Sequence, residues 1–452
     1  MNPLEIRATW SLASLFAVRM LGLFMILPVI SLDGAALAES TPELIGLAIG
    51  VYGLTQAVFQ IPFGFLSDRF GRKPIIITGL LVFMAGSIVA AQAETIFGVI
   101  AGRALQGAGA IAAAVMALLA DLTRDEQRSK AMATVGASIG MSFALALVVG
   151  PLFASMFDLS GLFWLTALLA LTGIAVTIWL VPAPQNQGSY RDTQLVTAHL
   201  SDVLKDKELL RLDVGVLLLH MTLTASFVVL PGWLLNNAGI VEVNHWMIYL
   251  PVLGLSFVFM VPMMIVAEKR RRVKEVFILA IFLLALSLLY LSRWHNGAAQ
   301  ILVGLFVFFW GFNLLEAMLP SLVSKIAAPG FKGTSMGVYS TCQFLGAFLG
   351  GVGGGWLLGN YGDVAVLAVA SAMVLVWLLF AAGMKQPSNL QSFTLRLDPA
   401  GAVDSNLWAK RLLGVTGVEE VVVVAEECTA YLKVDNNRLD KEQLMQLSRV
   451  PG

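Results

Sequence analysis

The chain has 452 residues, 58% of them hydrophobic and 13% charged, with a formal net charge of zero. An average soluble domain is roughly 45–50% apolar and about 25% charged. Composition therefore excludes an ordinary soluble enzyme and a disordered chain, and the lack of a basic field argues against a nucleic-acid partner. The surplus apolar residues belong in a lipid bilayer, where a helical span needs ~20 of them. Two cysteines, Cys342 and Cys428, make no disulfide framework and no paired-cysteine metal site.

Apolar runs predict twelve spans, at about 8–30, 44–66, 74–93, 97–120, 131–156, 161–182, 211–235, 245–267, 274–292, 298–321, 333–359 and 364–384. Ala36-Leu37-Ala38 after the first run has the look of a signal-peptide cleavage site. The run is too long for that and Arg19 interrupts it, so it reads as an uncleaved span. With the N-terminus placed inside, the inner segments carry 19 Lys and Arg as far as Lys385, and the outer loops carry one, Arg293. Positive charge marks the cytoplasmic side, so both termini read as cytoplasmic, in an inner (cytoplasmic) cell membrane. Residues 183–210 form the one long loop between spans and divide six from six. The expected units are an N-terminal half (1–182), a linker (183–210), a C-terminal half (211–386) and a tail (387–452). Leu195, Val196, Leu200, Val203, Leu204 and Leu210 make the linker either a helix lying on the membrane surface or a plain solvated one.

Between spans 2 and 3 stands Gly64-Phe65-Leu66-Ser67-Asp68-Arg69-Phe70-Gly71-Arg72-Lys73-Pro74, and span 4 carries Arg103, Gln106, Gly107 and Gly109. The first segment resembles the signature loop of the major facilitator superfamily at every defining position, and the second is similar to that family's motif in span 4. The resemblance covers about 1–385 and implies two six-helix halves that work by alternating access. Physically the loop reads as a latch. Gly64 permits close helix approach, Asp68 can set a carboxylate at the positive N-terminal end of a neighbouring helix, and Arg72 can pair with Asp121. The resemblance implies that the neighbour is span 11, near Gly333-Thr334. Gly64, Asp68, Arg69, Gly71, Arg72, Lys73 and Asp121 are thus the latch candidates; the alternative is that these charges only anchor the loop to the inner surface. Span 5 ends in Gly150-Pro151, followed by Ala154-Ser155 where the superfamily's drug antiporters carry a glycine pair. That departure leaves the direction of transport open.

An ionisable group at bilayer depth costs at least ~2.5–3.5 kcal/mol and by default marks function. Four lie well inside spans: Arg19, Arg103, His220 and Glu316, in spans 1, 4, 7 and 10. These are the first helices of four three-helix repeats, and the resemblance places them around a central cavity. Glu316 can be charged or neutral, as proton coupling requires, and His220 is the second proton candidate because an imidazole titrates near neutrality. Arg19 and Arg103 stay charged and suit an anion. Asn313, Gln56 and Gln60 can donate and accept hydrogen bonds to a substrate. The structural alternatives are a packing role for Arg103, Gln56 and Gln60, and a carbonyl partner for His220. Phe309, Trp310 and Phe312 beside Glu316 read as packing or as a pocket wall.

After Pro387 the pattern changes. Phe393, Leu395 and Leu397 alternate as a strand, 402–413 reads as a helix, Val418–Val424 and Tyr431–Val434 as strands, and 439–448 as a helix. The βαββα order predicts a small α+β, ferredoxin-like tail without its last strand. It has no paired cysteines, so no metal is expected. At about 65 residues it is expected to dock on the inner face or to pair with a second copy through its open edge. Superfamily transporters with such a tail also resemble this chain in Arg19-Met20-Leu21-Gly22, in 56–64 and in Gly337-Val338-Tyr339-Ser340. The fold class is accordingly an all-α membrane protein of twelve transmembrane helices in two halves, plus the tail. The expected activity is proton-coupled export of a small organic molecule, with protons and the lipid bilayer as its other partners and no cofactor beyond the gradient. Uptake or facilitated diffusion of a metabolite, and a transporter-like sensor, are the alternatives. An ATP-driven pump is disfavoured because the chain has no G-x-x-x-x-G-K-[ST] loop.

Overall fold

The computed structural model describes residues 1–183, 200–328, 330–386, 390–397, 405–425, 428–435 and 438–444. Its helices are α1 (Pro3–Asp33), α2 (Pro42–Phe70), α3 (Arg72–Ala91), α4 (Ile96–Ala108), α5 (Ala112–Asp121), α6 (Asp125–Trp179), α7 (Leu200–Lys205), α8 (Lys207–Asn236), α9 (Trp246–Lys269), α10 (Val273–Arg293), α11 (Ala298–Ile326), α12 (Lys332–Tyr361) and α13 (Asp363–Ala382). The first begins on a capping box. The Asn2 side chain accepts from the Glu5 N–H at 2.8 Å while the Glu5 carboxylate accepts from the Asn2 N–H at 2.7 Å.

Among the described residues, eleven helical segments are long and apolar enough to cross a bilayer, and one of them, 130–179, runs 50 residues. At ~1.5 Å per residue it would measure ~75 Å, more than twice a ~30 Å hydrocarbon core. It does not run straight: Asp158 has φ 56° and ψ −176°, outside the helical region. Before the bend the Ser138 hydroxyl donates to the Ala13 carbonyl and Phe143 packs on Phe24. After it Thr166 donates to Gly22, and Arg7 donates to Leu180. The two legs thus run in opposite directions along α1, and the bundle has twelve crossings. The single span expected at 97–120 is two helices, α4 and α5, broken at 109–111.

One end of the bundle holds the chain's start, α7 and the tail, and is called the terminal end below. The halves meet tightly at the opposite end, where α2 crosses α12 on a glycine stripe. A Cβ at Gly351 would stand 2.6 Å from the Gly46 carbonyl oxygen, so only backbones this bare can pack so closely. Asn360 extends the contact to Glu43 at 3.5 Å. At the terminal end, among the described residues, neither Asp68 nor Arg72 bonds to α12.

The tail forms β1 (Gln391–Arg396), α14 (Ser405–Leu413), β2 (Val418–Val424) and β3 (Thr429–Val434) in an antiparallel sheet of order β1-β3-β2. Strand β3 lies between the other two, the arrangement a split β-α-β unit produces. Period two divides its residues: Ala430, Leu432 and Val434 join Trp408 and Leu412 in a small core. On the other face Lys433 reaches the bundle and donates to the Ile326 carbonyl at 3.0 Å, and Tyr431 lies beside Gly330. Of the helix expected at 439–448, residues 441–444 are helical and 445–448 lie outside the described residues, as do 184–199 of the linker.

Candidate functional site

Glu316 on α11 and His220 on α8 face each other midway along their helices, with Glu316 Oε2 3.6 Å from His220 Nε2. Gln343 on α12 completes the group, its side-chain amide 2.8 Å from the same imidazole nitrogen. His220 Nδ1 lies 3.2 Å from the Val216 carbonyl. A carbonyl only accepts, so Nδ1 carries the hydrogen and Nε2 accepts from the Gln343 amide. Glu316 Oε2 is buried and has no hydrogen-bond partner among the described residues, although the rest of that side chain is part-exposed. A proton placed on Nε2 or on Oε2 would let the two side chains bond directly, which neither can do without one.

An aromatic cluster covers this group on the side away from the terminal end. Phe312, one turn along α11 from Glu316, lies 6.1 Å from the His220 ring, and Phe143 of the N-terminal half packs on Phe312, Phe309 and Phe227 of the other half. Sequence reading did not reach Phe143 or Gln343: an amide or an aromatic is visible in an apolar helix, but which one stands opposite His220 or Phe312 depends on how distant helices pack. Trp310 packs instead on Phe306 and Phe259.

The other polar candidates lie inside the packing. Arg19 is buried and donates through Nη2 to Gln56 at 2.8 Å, to the Gly109 carbonyl at 2.9 Å and to the Tyr52 hydroxyl at 3.1 Å. The break between α4 and α5 makes that Gly109 carbonyl available, so Arg19 joins α1 and α2 to a weak point of span 4. Arg103 is also buried, donates to the Ala48 and Ile49 carbonyls of α2 and to Gln106, and sits 5.0 Å from the Tyr52 ring. Gln56 and Gln60 are buried in the same half. Asn313 is buried in the other and donates to Ser256 of α9 at 2.8 Å. These five are brought together with helix neighbours rather than with Glu316.

The loop motif is bonded within its own half. Gly71 turns the chain from α2 into α3 at φ 95°, which a side chain would oppose. Arg72 binds Asp68, donates to the Ser67 hydroxyl at 2.8 Å and pairs with Asp121 of α5 at 3.2 Å. Lys73 donates to the Val181 carbonyl at 2.5 Å, just past α6, where a cation meets the negative end of the helix. Arg69 is exposed and stacks on Phe70. Gly64 faces Ala113 of α5, a Cβ there coming to 3.4 Å.

Residues 12–351 match the family description Major Facilitator Superfamily. The chain belongs to this superfamily of membrane transporters. Residues 395–447 match the YajR YAM domain. The inner membrane transport protein YajR of Escherichia coli (strain K12) is 47% identical over 446 residues, 98% of either chain. Multidrug resistance protein MdtH of Yersinia enterocolitica is 27% identical over 346 residues, covering 75% of this chain and 83% of that one. In structure the human organic anion transporter MFSD10 (TETRAN) aligns with a TM-score of 0.59 at 18% identity, over 84% of this chain and all of that one, a likeness of fold.

Proposed function

We propose that this transporter is a proton-coupled exporter of small organic molecules, with its terminal end in the cytoplasm of a cell whose inner membrane it spans. The observation that carries the reading is the Glu316–His220–Gln343 group. It is a carboxyl and an imidazole 3.6 Å apart, drawn from three helices of one half and covered by aromatic rings from both. Such a group bonds differently with and without a proton, and it sits where a rocking motion of the halves would change its surroundings. Nineteen basic residues in the inner segments read from the sequence, against one in the outer loops, support the orientation. Similarity to a multidrug resistance protein supports an apolar organic cargo. Arg103, one of the two arginines that would suit anion uptake, is bonded through all three guanidinium nitrogens inside the N-terminal half, which favours export over that alternative.

In the proposed cycle the structure shown here is open to the cytoplasm. Cargo enters between the halves, and a proton shared by His220 and Glu316 is released to the cytoplasm as it does so. Closing the terminal end brings Asp68 towards the start of α12, where a helix N-terminus accepts a carboxylate. The test is Glu316→Gln in sealed vesicles loaded with a fluorescent lipophilic cation, under an imposed pH gradient. The substituted protein is expected to bind the dye and to fail to move it against its concentration. Unchanged gradient-driven movement would remove Glu316 from the coupling role.

A further inference from the structure

The ionisable groups recognised inside the spans do not include Asp213, because it lies only two residues into the apolar run of span 7. In the folded chain it is 2% exposed. Its Oδ1 is buried with no partner, and among the described residues the carboxyl forms no hydrogen bond and no ion pair. The nearby cation of its own helix, Arg211, is turned away, bonded to Glu208 at 2.6 Å and to the Gly383 carbonyl at 2.9 Å. A lone buried carboxylate costs several kcal/mol, and a bound proton removes that cost.

Its position is informative. Asp213 and His220 are seven residues apart on α8, two turns and ~10.5 Å along one helix face. Asp213 is on the terminal-end side, between the His220–Glu316 pair and the opening. From α12, Tyr339 lies within electrostatic reach of both Asp213 and Glu316, and Cys342 within reach of Asp213; from the start of α8, Asp206 does. Among the described residues, the titratable groups coupled electrostatically to Asp213 are therefore a phenol, a thiol and a second carboxylate, with no cation among them. Gln343, which holds His220, is one turn from Tyr339 on α12. A movement of α12 against α8 changes the surroundings of both acidic groups at once.

We propose that Asp213 is a second proton-binding carboxyl, occupied by a proton in the conformation seen here and set between the His220–Glu316 pair and the cytoplasmic opening. Its part in transport rests on the proton-coupled reading above; its proton occupancy does not. When Asp213 gives up this proton it leaves as H⁺ to the water of the cytoplasmic opening and the carboxylate remains, with no other bond made or broken, in the same direction as the release proposed for the His220–Glu316 pair.

The experiment is infrared difference spectroscopy of the reconstituted full chain titrated between acid and alkaline pH, in the wild type and in Asp213→Asn, Asp213→Glu and Glu316→Gln. A carboxylic-acid band that titrates in the wild type, is lost in Asp213→Asn, returns shifted in Asp213→Glu and persists in Glu316→Gln is the expected result. Wild-type and Asp213→Asn spectra that coincide would overturn the assignment. So would a band lost in Asp213→Asn that never titrates in the wild type, since Asp213 would then be a fixed neutral acid. If Asp213→Asn fails to fold, the shift between wild type and Asp213→Glu decides alone, and its absence overturns the assignment. Glu316→Gln transport fails or survives independently of these spectra, so the two readings fall separately.

Discussion

At the residue scale, the transporter's buried charges divide into those that are fully paired and those that are not. Arg72 is nearly buried and is held by Asp68, Ser67 and Asp121, whose side chain is 3% exposed. Deleting one partner of a buried pair leaves an uncompensated charge and costs about 3–5 kcal/mol. Arg72→Ala is therefore expected to lower the melting temperature of the purified protein markedly, while Arg69→Ala, which removes an exposed charge, leaves it unchanged. Equal melting temperatures for Arg72→Ala and the wild type would mean that the three-way contact adds nothing to the fold. Glu316 and His220 stand at the other extreme, facing each other without a direct hydrogen bond. Stability is carried by the first set and a change of state is available to the second.

Among elements, the crossing of α2 with α12 fixes which end is shut. Gly46 packs against the Gly351 carbonyl and the Gly355 backbone, and Gly50 against Phe348. Gly46→Val would put branched carbon atoms where backbone now lies, and neither helix can yield without moving the half it belongs to. The expected outcome is a shift to the state open at that end and closed at the terminal end. In a background with Cys342 and Cys428 replaced, cysteines at 70 and 333 report it: crosslinking should be faster in Gly46→Val than in its parent. A slower or equal rate would show that the glycine crossing does not govern closure. The same pair of cysteines reports the latch, since Asp68→Asn should slow crosslinking if a carboxylate at the start of α12 holds the terminal end together.

Over the whole molecule, the tail is joined to the bundle at the end of the helix that carries Glu316. Lys433 sets an ammonium on the carbonyl of Ile326, the last residue of α11, and such a contact at a helix C-terminus is worth about 0.3–1 kcal/mol. That is enough to bias two conformations several-fold and too little to hold the transporter together. Deletion of 388–452 is therefore expected to leave insertion and gradient-driven transport intact and to change the rate, measured in vesicles of matched protein content. Loss of all transport in a stable, inserted truncation would make the tail part of the translocation machinery. Lys433→Met in the full chain should reproduce the direction of the rate change if the capping contact is its cause.

Local chemistry alone determined the spans, the order of elements in the tail and the motif around Asp68 and Arg72. Lipid leaves so few options for backbone polar groups that a run of ~20 apolar residues is already a helix. A period of two marks a strand just as directly. The ionisable residues in the spans were visible for the same reason, but their roles were not. Arg19, Arg103, Gln56 and Gln60 look like cavity groups in the sequence and lie in helix packing. Asp213 sits too close to a span's end to look buried, and it is. Gln343 and Phe143 join the site only through contacts between helices far apart in the chain. Each of these outcomes depends on which helix stands opposite, how far the break at 109–111 exposes a carbonyl, and how closely α2 and α12 approach. Those are distances between segments far apart in the chain, and only the folded bundle sets them.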